Sequence, residues 1–383
     1  MSKLIGEGGF GCVYYPHFSC QGKVISSKKF VSKIQLYDKY IIRELNIGKI
    51  VSKIPHYYLH FAPIIKSCKI NMTSFDNKSI LQDCEIVNNN TNRNFILSTI
   101  PYVKGSEFKD YIGTLRENEL YITILFNSYY YLLNSLQILY NKDICHYDIK
   151  FENIVYNTVK KIPIIIDFGL SFSFYEIENY SSINDLSKFF YIYAPQYYIW
   201  CPEIQIISYI VQQNKDNKNN ILTKSVLKTL LEQIVEGMNI WHLFSLDFKK
   251  KYLQNLYSFY SRFINKENNY IIKELIKYKS TWDTYSLSIS FLKEFIYKLN
   301  KSPNIKNDEA IIFIIIQLLL YSLSPYPTKR PSIATLKEIL YNTFNQNFPN
   351  SLYGTYLNFS LNNSEYEYIT NTIIPKLYFF IKQ

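Results

Sequence analysis

Glycine (11 residues) and proline (13) are sparse in this 383-residue chain, and its six cysteines form no C-x-x-C pair. Zinc sites and dithiol redox motifs built on that spacing are therefore excluded. Cysteines 12, 20, 68, 84, 145 and 201 are expected to be free, mostly buried thiols in a reducing compartment. Long hydrophobic runs are missing as well. The most apolar stretch, AIIFIIIQLLLYSL at 310–323, is too short to span a bilayer, carries Gln317 and reads as a buried helix. No secretory leader pattern opens the chain, and there are no internal repeats. Lys and Arg (42) exceed Asp and Glu (31), a net charge of +11, but no long basic run concentrates them. Such scatter suits a solvated surface that meets a polyanionic ligand, with no clear nucleic-acid site. What is abundant is apolar: 48% of residues are hydrophobic, 17% aromatic and only 19% charged, the composition of a folded chain. The plentiful Lys, Asn, Ile, Tyr and Phe match the coding of an AT-rich genome.

The length allows two domains or one large two-lobed one. Residues 1–103 carry short alternating or apolar runs that predict strands, with one helical stretch, YIIRELNIGKIVSKI. The Asn-rich EIVNNNTNRN at 85–94 predicts an exposed loop. Beyond 103 the pattern becomes helical. ELYITILFNSYYYLLNSLQILYNKD predicts one long helix ending near Asn141, followed by short strands in ENIVY and KIPIIID. From 210 onward helices dominate, broken at QQNKDNKNN (212–220), the clearest linker.

Four stretches carry chemistry. IGEGGFGCV (5–13) has G-x-G-x-x-G spacing, which lets a strand–turn–strand close over phosphates with its N–H groups exposed to them. A tight hairpin with no ligand would look the same; the lack of a following helix argues against a Rossmann unit and for a hairpin lid. In FVSK, Lys33 interrupts an apolar strand, which is costly unless it meets an anion, and Glu44 on the next helix could hold it. An edge-strand lysine pointing outward is the alternative. HYDIKFENIVY (146–156) packs a candidate base (Asp148), a cation (Lys150) and an amide (Asn153) against an apolar run. That set could take a hydroxyl proton, neutralise a phosphoryl group and bind Mg²⁺; the alternative is a polar loop capping a helix. IPIIIDFGL delivers Asp167 from a buried strand, 14 positions after Asn153, so a strand–turn–strand would bring two oxygen ligands side by side.

In this order the four elements resemble those of the eukaryotic protein kinases. The resemblance continues to residue 332: CPE at 201–203 stands where the family has A-P-E, DTYS opens at Asp283 like its central helix, and PTKRPS (327–332) carries Arg330 where the family's arginine pairs with the A-P-E glutamate. It implies an α+β, two-lobed protein kinase fold, with a β-rich N-lobe and hinge over 1–103, a helical C-lobe over 104–383 and a probable insertion at 212–280. It further implies that Asp148 is the catalytic base and that Lys150 contacts the γ-phosphate of ATP. Asn153 and Asp167 would hold Mg²⁺, and Lys33, braced by Glu44, would touch the α- and β-phosphates. Ile5, Gly6, Glu7, Gly8, Gly9, Phe10, Gly11 and Val13 would form the nucleotide lid. Ile100 would be gatekeeper, the Pro101 carbonyl and Val103 N–H would meet the adenine edge, Glu107 the ribose, and Val155 would floor the base. The implied partner is a protein substrate, phosphorylated on Ser or Thr because Lys150 follows the Ser/Thr pattern; nothing specifies an oligomeric state.

The sequence departs from the family at several points. Tyr147 replaces the arginine that receives an activation-loop phosphate, so the aromatic residues of that segment, among them Phe190, Tyr197 and Trp200, would have to hold it by packing. Gly48 stands one turn after Glu44, weakening the helix, and Gln196 stands where Ser/Thr kinases carry Thr. About 80 residues separate Glu203 from Asp283, far more than usual. Short, divergent, Asn- and Tyr-rich kinases of this kind resemble those of large DNA viruses, mimivirus-type or poxvirus-type, which implies a cytoplasmic location, or the virion. The rival readings are a small-molecule or lipid kinase of related fold, against which Gly169, CPE, Asp283 and Arg330 argue, and a pseudokinase scaffold.

Overall fold

The structure is a computed structural model that describes residues 2–8, 11–70, 75–76, 78–90, 92–115, 118–215, 221–241, 244–301 and 309–340. Gly9 and Phe10 of the expected lid, and 216–220 of the expected linker, lie outside these residues. By contacts the chain divides into two compact units, 1–111 with 152–172, and 112–151 with 173–383. These contact units are a different division from the expected domains at 1–103 and 104–383.

The first unit holds two sheets. Strands β1 (Lys3–Gly8), β2 (Gly11–Tyr15) and β3 (Phe30–Leu36) are joined with β5 (Lys66–Ile70) and β6 (Phe95–Pro101) in the order β1-β2-β3-β6-β5. β4 (Phe61–Ala62) and β7 (Gly105–Glu107) flank the hairpin of β9 (Ile154–Asn157) and β10 (Ile162–Ile166) in the order β4-β10-β9-β7. Between the sheet strands runs α1 (Lys39–Val51), whose N-cap Asp38 accepts the N–H groups of Tyr40 and Ile41. The sheet buries Tyr14, Phe18, Ile34, Phe95 and Leu97 in one cluster. Ile41 of α1 packs with Ile64 and Ile96 in another.

Gly48 has a reason to be glycine. A Cβ there would stand 2.4 Å from the Ile64 carbonyl oxygen, so the helix backbone lies directly on the chain entering β5. The helix propensity lost at that position is exchanged for the close approach that seats α1, and Glu44 is buried in register with β3.

Three expectations need correction. The cysteines are not all free: Cys12 is joined to Cys84 and Cys20 to Cys68. Only Cys145 and Cys201, both buried, remain as thiols. The pairs are separated by 72 and 48 positions, each joining a strand residue to one outside the strands, and no local spacing marks them. Alkylation of the unfolded, unreduced chain should therefore label two cysteines, and prior reduction should raise the number to six; six labelled without reduction would show the crosslinks absent. The expected loop at 85–94 contains a helical turn, α2 (Glu85–Asn88), with Val87 buried. The linker proposed at 212–220 starts inside a helix, since α6 runs over Pro202–Lys215 and Gln212 Nε2 donates to the Phe190 carbonyl at 3.1 Å.

After α3 (Phe108–Gly113), the second unit is helical: α4 (Asn118–Tyr140), the short β8 (Ile144–Cys145), α5 (Phe174–Glu178), α6, α7 (Lys224–Met238), α8 (Leu246–Tyr260), α9 (Asn268–Ile276), α10 (Trp282–Lys301), α11 (Glu309–Ser322) and α12 (Ile333–Leu340). α10 is its axis, with Trp282, Tyr285, Leu287, Ile289, Phe291 and Phe295 all buried. The Tyr129 hydroxyl on α4 meets Ser288 at 2.8 Å, and its ring packs on Phe291. The expected insertion at 212–280 is built as α7, α8 and α9, each with its own apolar stripe. Among the described residues no helix is long and apolar enough to cross a membrane.

Candidate functional site

Lys33 lies on β3, a strand paired on both sides, and not on an edge. Only 6% of it is exposed. Its Nζ stands 3.4 Å from Glu44 Oε1 and 3.2 Å from Asp167 Oδ1. Burial pushes the ammonium toward neutrality, but the two carboxylates outweigh it and hold the pKa above the ordinary lysine value. Glu44 is pushed up by burial, against which Lys33 and the Gln35 amide at 3.0 Å stabilise its charge. Two carboxylates around one ammonium leave the cluster net negative, the setting in which a further cation is welcome.

Asp167 leaves β10 with a positive φ of 59°, a left-handed conformation that L-residues other than glycine hold only when their surroundings over-determine it. The surroundings do so: its Oδ1 also accepts the Gly169 N–H at 3.2 Å, and Arg43 on α1 donates to the Gly169 carbonyl at 3.3 Å. The β9–β10 register pairs Ile154 with Ile165, so Asn153 and Asp167 both lie just beyond the same end of that hairpin. A carboxylate and an amide oxygen are hard donors, and the pair fits Mg²⁺. The other cluster with metal-ligand residues among the described ones, Glu7 with Cys12 and Cys84, has both sulfurs joined in a disulfide.

The described residues of the expected lid form a hairpin, β1–β2, in which Gly6 pairs with Val13, Glu7 with Cys12 and Gly8 with Gly11. Ile5 is half exposed, and Glu7 Oε1 accepts the Glu85 N–H at 2.8 Å. Ile100 and Pro101 end β6 opposite Val31 and Phe30. Pro101 and Val103 line a cavity of about 300 Å³ with Tyr58, Phe61 and Lys160. Glu107 on β7 pairs with Val155 on β9, and burial with the nearby Asp110 and Glu152 raises its pKa.

The second unit carries Asp148 and Lys150. Here too the chain is strained, with Tyr147 at φ 70°. Asp283 at the start of α10 accepts the N–H groups of His146 and Tyr147, each at 2.8 Å, and the Trp200 indole donates to the Tyr147 carbonyl at 2.8 Å. The Tyr147 ring packs on Trp200 and Phe190, so packing holds the segment where an arginine was absent. Asp148 Oδ2 stands 3.1 Å from Lys150 Nζ, and the Tyr197 hydroxyl lies against both groups, donating to Asp148 Oδ1 at 2.8 Å and accepting from Lys150 at 2.9 Å. Sequence reasoning named Tyr197 only as a packing aromatic and missed its hydroxyl; it weighed the neighbouring Gln196, which is exposed.

Glu203 and Arg330 meet as expected, at 3.0 Å and essentially unexposed. Tyr260 from α8 donates to the other Glu203 oxygen at 2.5 Å, and Arg330 Nε donates to the Ser324 carbonyl at 3.1 Å. α7 of the expected insertion also reaches the backbone at Gln196: a Cβ on Gly237 would stand 2.6 Å from the Gln196 Cα, so only glycine lets that helix support this backbone.

A family model described as protein kinase domain matches residues 1–195, half of the chain. The search of curated proteins found no match.

Proposed function

We propose a reaction for a chain that belongs to the protein kinase family: transfer of the γ-phosphate of Mg-ATP to serine and threonine hydroxyls of proteins. The observation that carries this reading is the buried Lys33 ammonium held between Glu44 and Asp167. A buried cation fixed by two carboxylates is an anchor for nucleotide phosphates, and a scaffold without a nucleotide would have no need of it.

In this reading Asp148 accepts the proton of the incoming hydroxyl as its oxygen attacks phosphorus, and Lys150 compensates charge on the transferring group. Lys33 orients the α- and β-phosphates while the β1–β2 hairpin, from Ile5 to Val13, covers them. Pro101 and Val103 present main-chain atoms to the adenine edge, Val155 floors it, and Glu107 meets the ribose. Asn153 and Asp167 would hold Mg²⁺, which when bound neutralises charge on the phosphates. Ser/Thr preference is supported by Lys150 in its D-I-K setting. The domain limits at 103/104, the insertion at 212–280, kinship with kinases of large DNA viruses, and a cytoplasmic location belong to the same proposal. The Cys12–Cys84 bridge is fully buried, away from soluble thiols, whereas the Cys20–Cys68 bridge has Cys20 exposed and argues against a reducing location.

The test is to offer the purified protein a protein mixture and a panel of small alcohols with labelled ATP, then to hydrolyse the protein products. Labelled phosphoserine and phosphothreonine are expected. Label confined to small alcohols would overturn the substrate class, and phosphotyrosine alone would overturn the Ser/Thr assignment.

A further inference from the structure

We infer that Tyr197 is a positioning residue for phosphoryl transfer, a role that rests on Asp148 being the base. Asp148 and Lys150 carry opposite charges and stand 3.1 Å apart, so nothing in their own attraction keeps the carboxylate from being drawn wholly onto the ammonium. A base neutralised in that way presents its oxygens in the wrong direction to an incoming hydroxyl. The Tyr197 hydroxyl resolves this by its two-sided capacity. It donates its proton to Asp148 Oδ1 at 2.8 Å and accepts one of the three ammonium protons of Lys150 at 2.9 Å. The three groups close into a ring in which each charge has a fixed partner.

The phenol is itself held. Its ring stands edge-on to Trp200 at 4.9 Å, and the Trp200 indole donates to the carbonyl of Tyr147, the residue before Asp148. Asp283 accepts the Tyr147 N–H. The side chain of Asp148 and the backbone that carries it are thus tied to the same aromatic pair, which makes the hydroxyl at 197 part of a rigid frame and not a surface contact. A phenylalanine would keep the ring and its packing on Trp200 and remove only the oxygen.

Three proteins separate the possibilities: wild type, Tyr197→Phe and Asp148→Asn, each measured for melting temperature, kcat and KM for ATP. Tyr197→Phe should melt within about one degree of wild type and keep its KM for ATP, while kcat falls roughly 10- to 100-fold, the size expected when a charge-assisted hydrogen bond that aligns a reacting group is lost. Tyr197→Ala, which also removes the ring, should lower both kcat and the melting temperature. A wild-type kcat in Tyr197→Phe, with Asp148→Asn inactive, overturns the positioning role and leaves Asp148 as base. A raised kcat would show that the phenol blocks the base, which overturns the role equally. Full activity in Asp148→Asn would instead remove the reading on which the role rests.

Discussion

Asp167→Ala and Asp148→Ala should each reduce phosphoryl transfer to background, yet only Asp167→Ala should weaken Mg-ATP binding, by roughly 10- to 100-fold. The difference follows from what each carboxylate touches. Asp167 sits against Lys33 in the buried cluster of the first unit, beyond the same strand ends as Asn153. Its loss removes an oxygen ligand and leaves Lys33 with one carboxylate in place of two. Asp148 has Lys150 and Tyr197 as partners in the second unit and is assigned to the hydroxyl that receives phosphate. Isothermal titration with Mg-ATP reads the contrast directly. Equal losses of affinity in the two variants would show that the roles have been wrongly divided.

Arg330→Ala should cost about 3–5 kcal/mol of stability, because it strands the Glu203 carboxylate in a site with no water to take over. Both side chains are at most 1% exposed, and burial alone would push the Arg330 pKa down; Glu203 outweighs that and holds it above the ordinary arginine value. The guanidinium also lies over the Tyr285 ring at 5.0 Å, so its removal loosens the first turn of α10 as well. Thermal unfolding with a denaturant series should show the loss. A melting temperature within one or two degrees of wild type would mean that the Tyr260 hydroxyl alone satisfies Glu203.

The fold was legible where one physical signal dominated. A β-rich start and a helical remainder followed from a change of hydrophobic period near residue 103, while the two-lobed class came from the resemblance to protein kinases; the strands around Asn153 and Asp167 followed from apolar runs bounded by turn residues. Lys33 was readable because a charge inside an apolar strand demands a partner, and Glu44 was the nearest acid on a helix. What escaped was non-local. The disulfides join a strand residue to a turn or helix-cap residue 72 and 48 positions away. Gly48 looked like a weak point because helix propensity is a local quantity, whereas its close approach to Ile64 belongs to tertiary packing. The linker at 212–220 was read from polarity, but a solvent-facing helix end such as 212–215 is polar too. The Tyr197 ring was named for packing, but its hydroxyl escaped because it is one among many tyrosines, beside a position where a threonine was sought.

The central claim, that this chain is a working protein kinase, is tested most directly by following phosphate from γ-labelled ATP into protein under the same conditions for wild type and Asp148→Asn. Wild type is expected to label protein in a reaction that requires a divalent cation, and Asp148→Asn is expected to bind Mg-ATP with unchanged affinity while labelling nothing. Nucleotide binding by wild type with no turnover on any protein offered would contradict the claim and mark the chain as a scaffold.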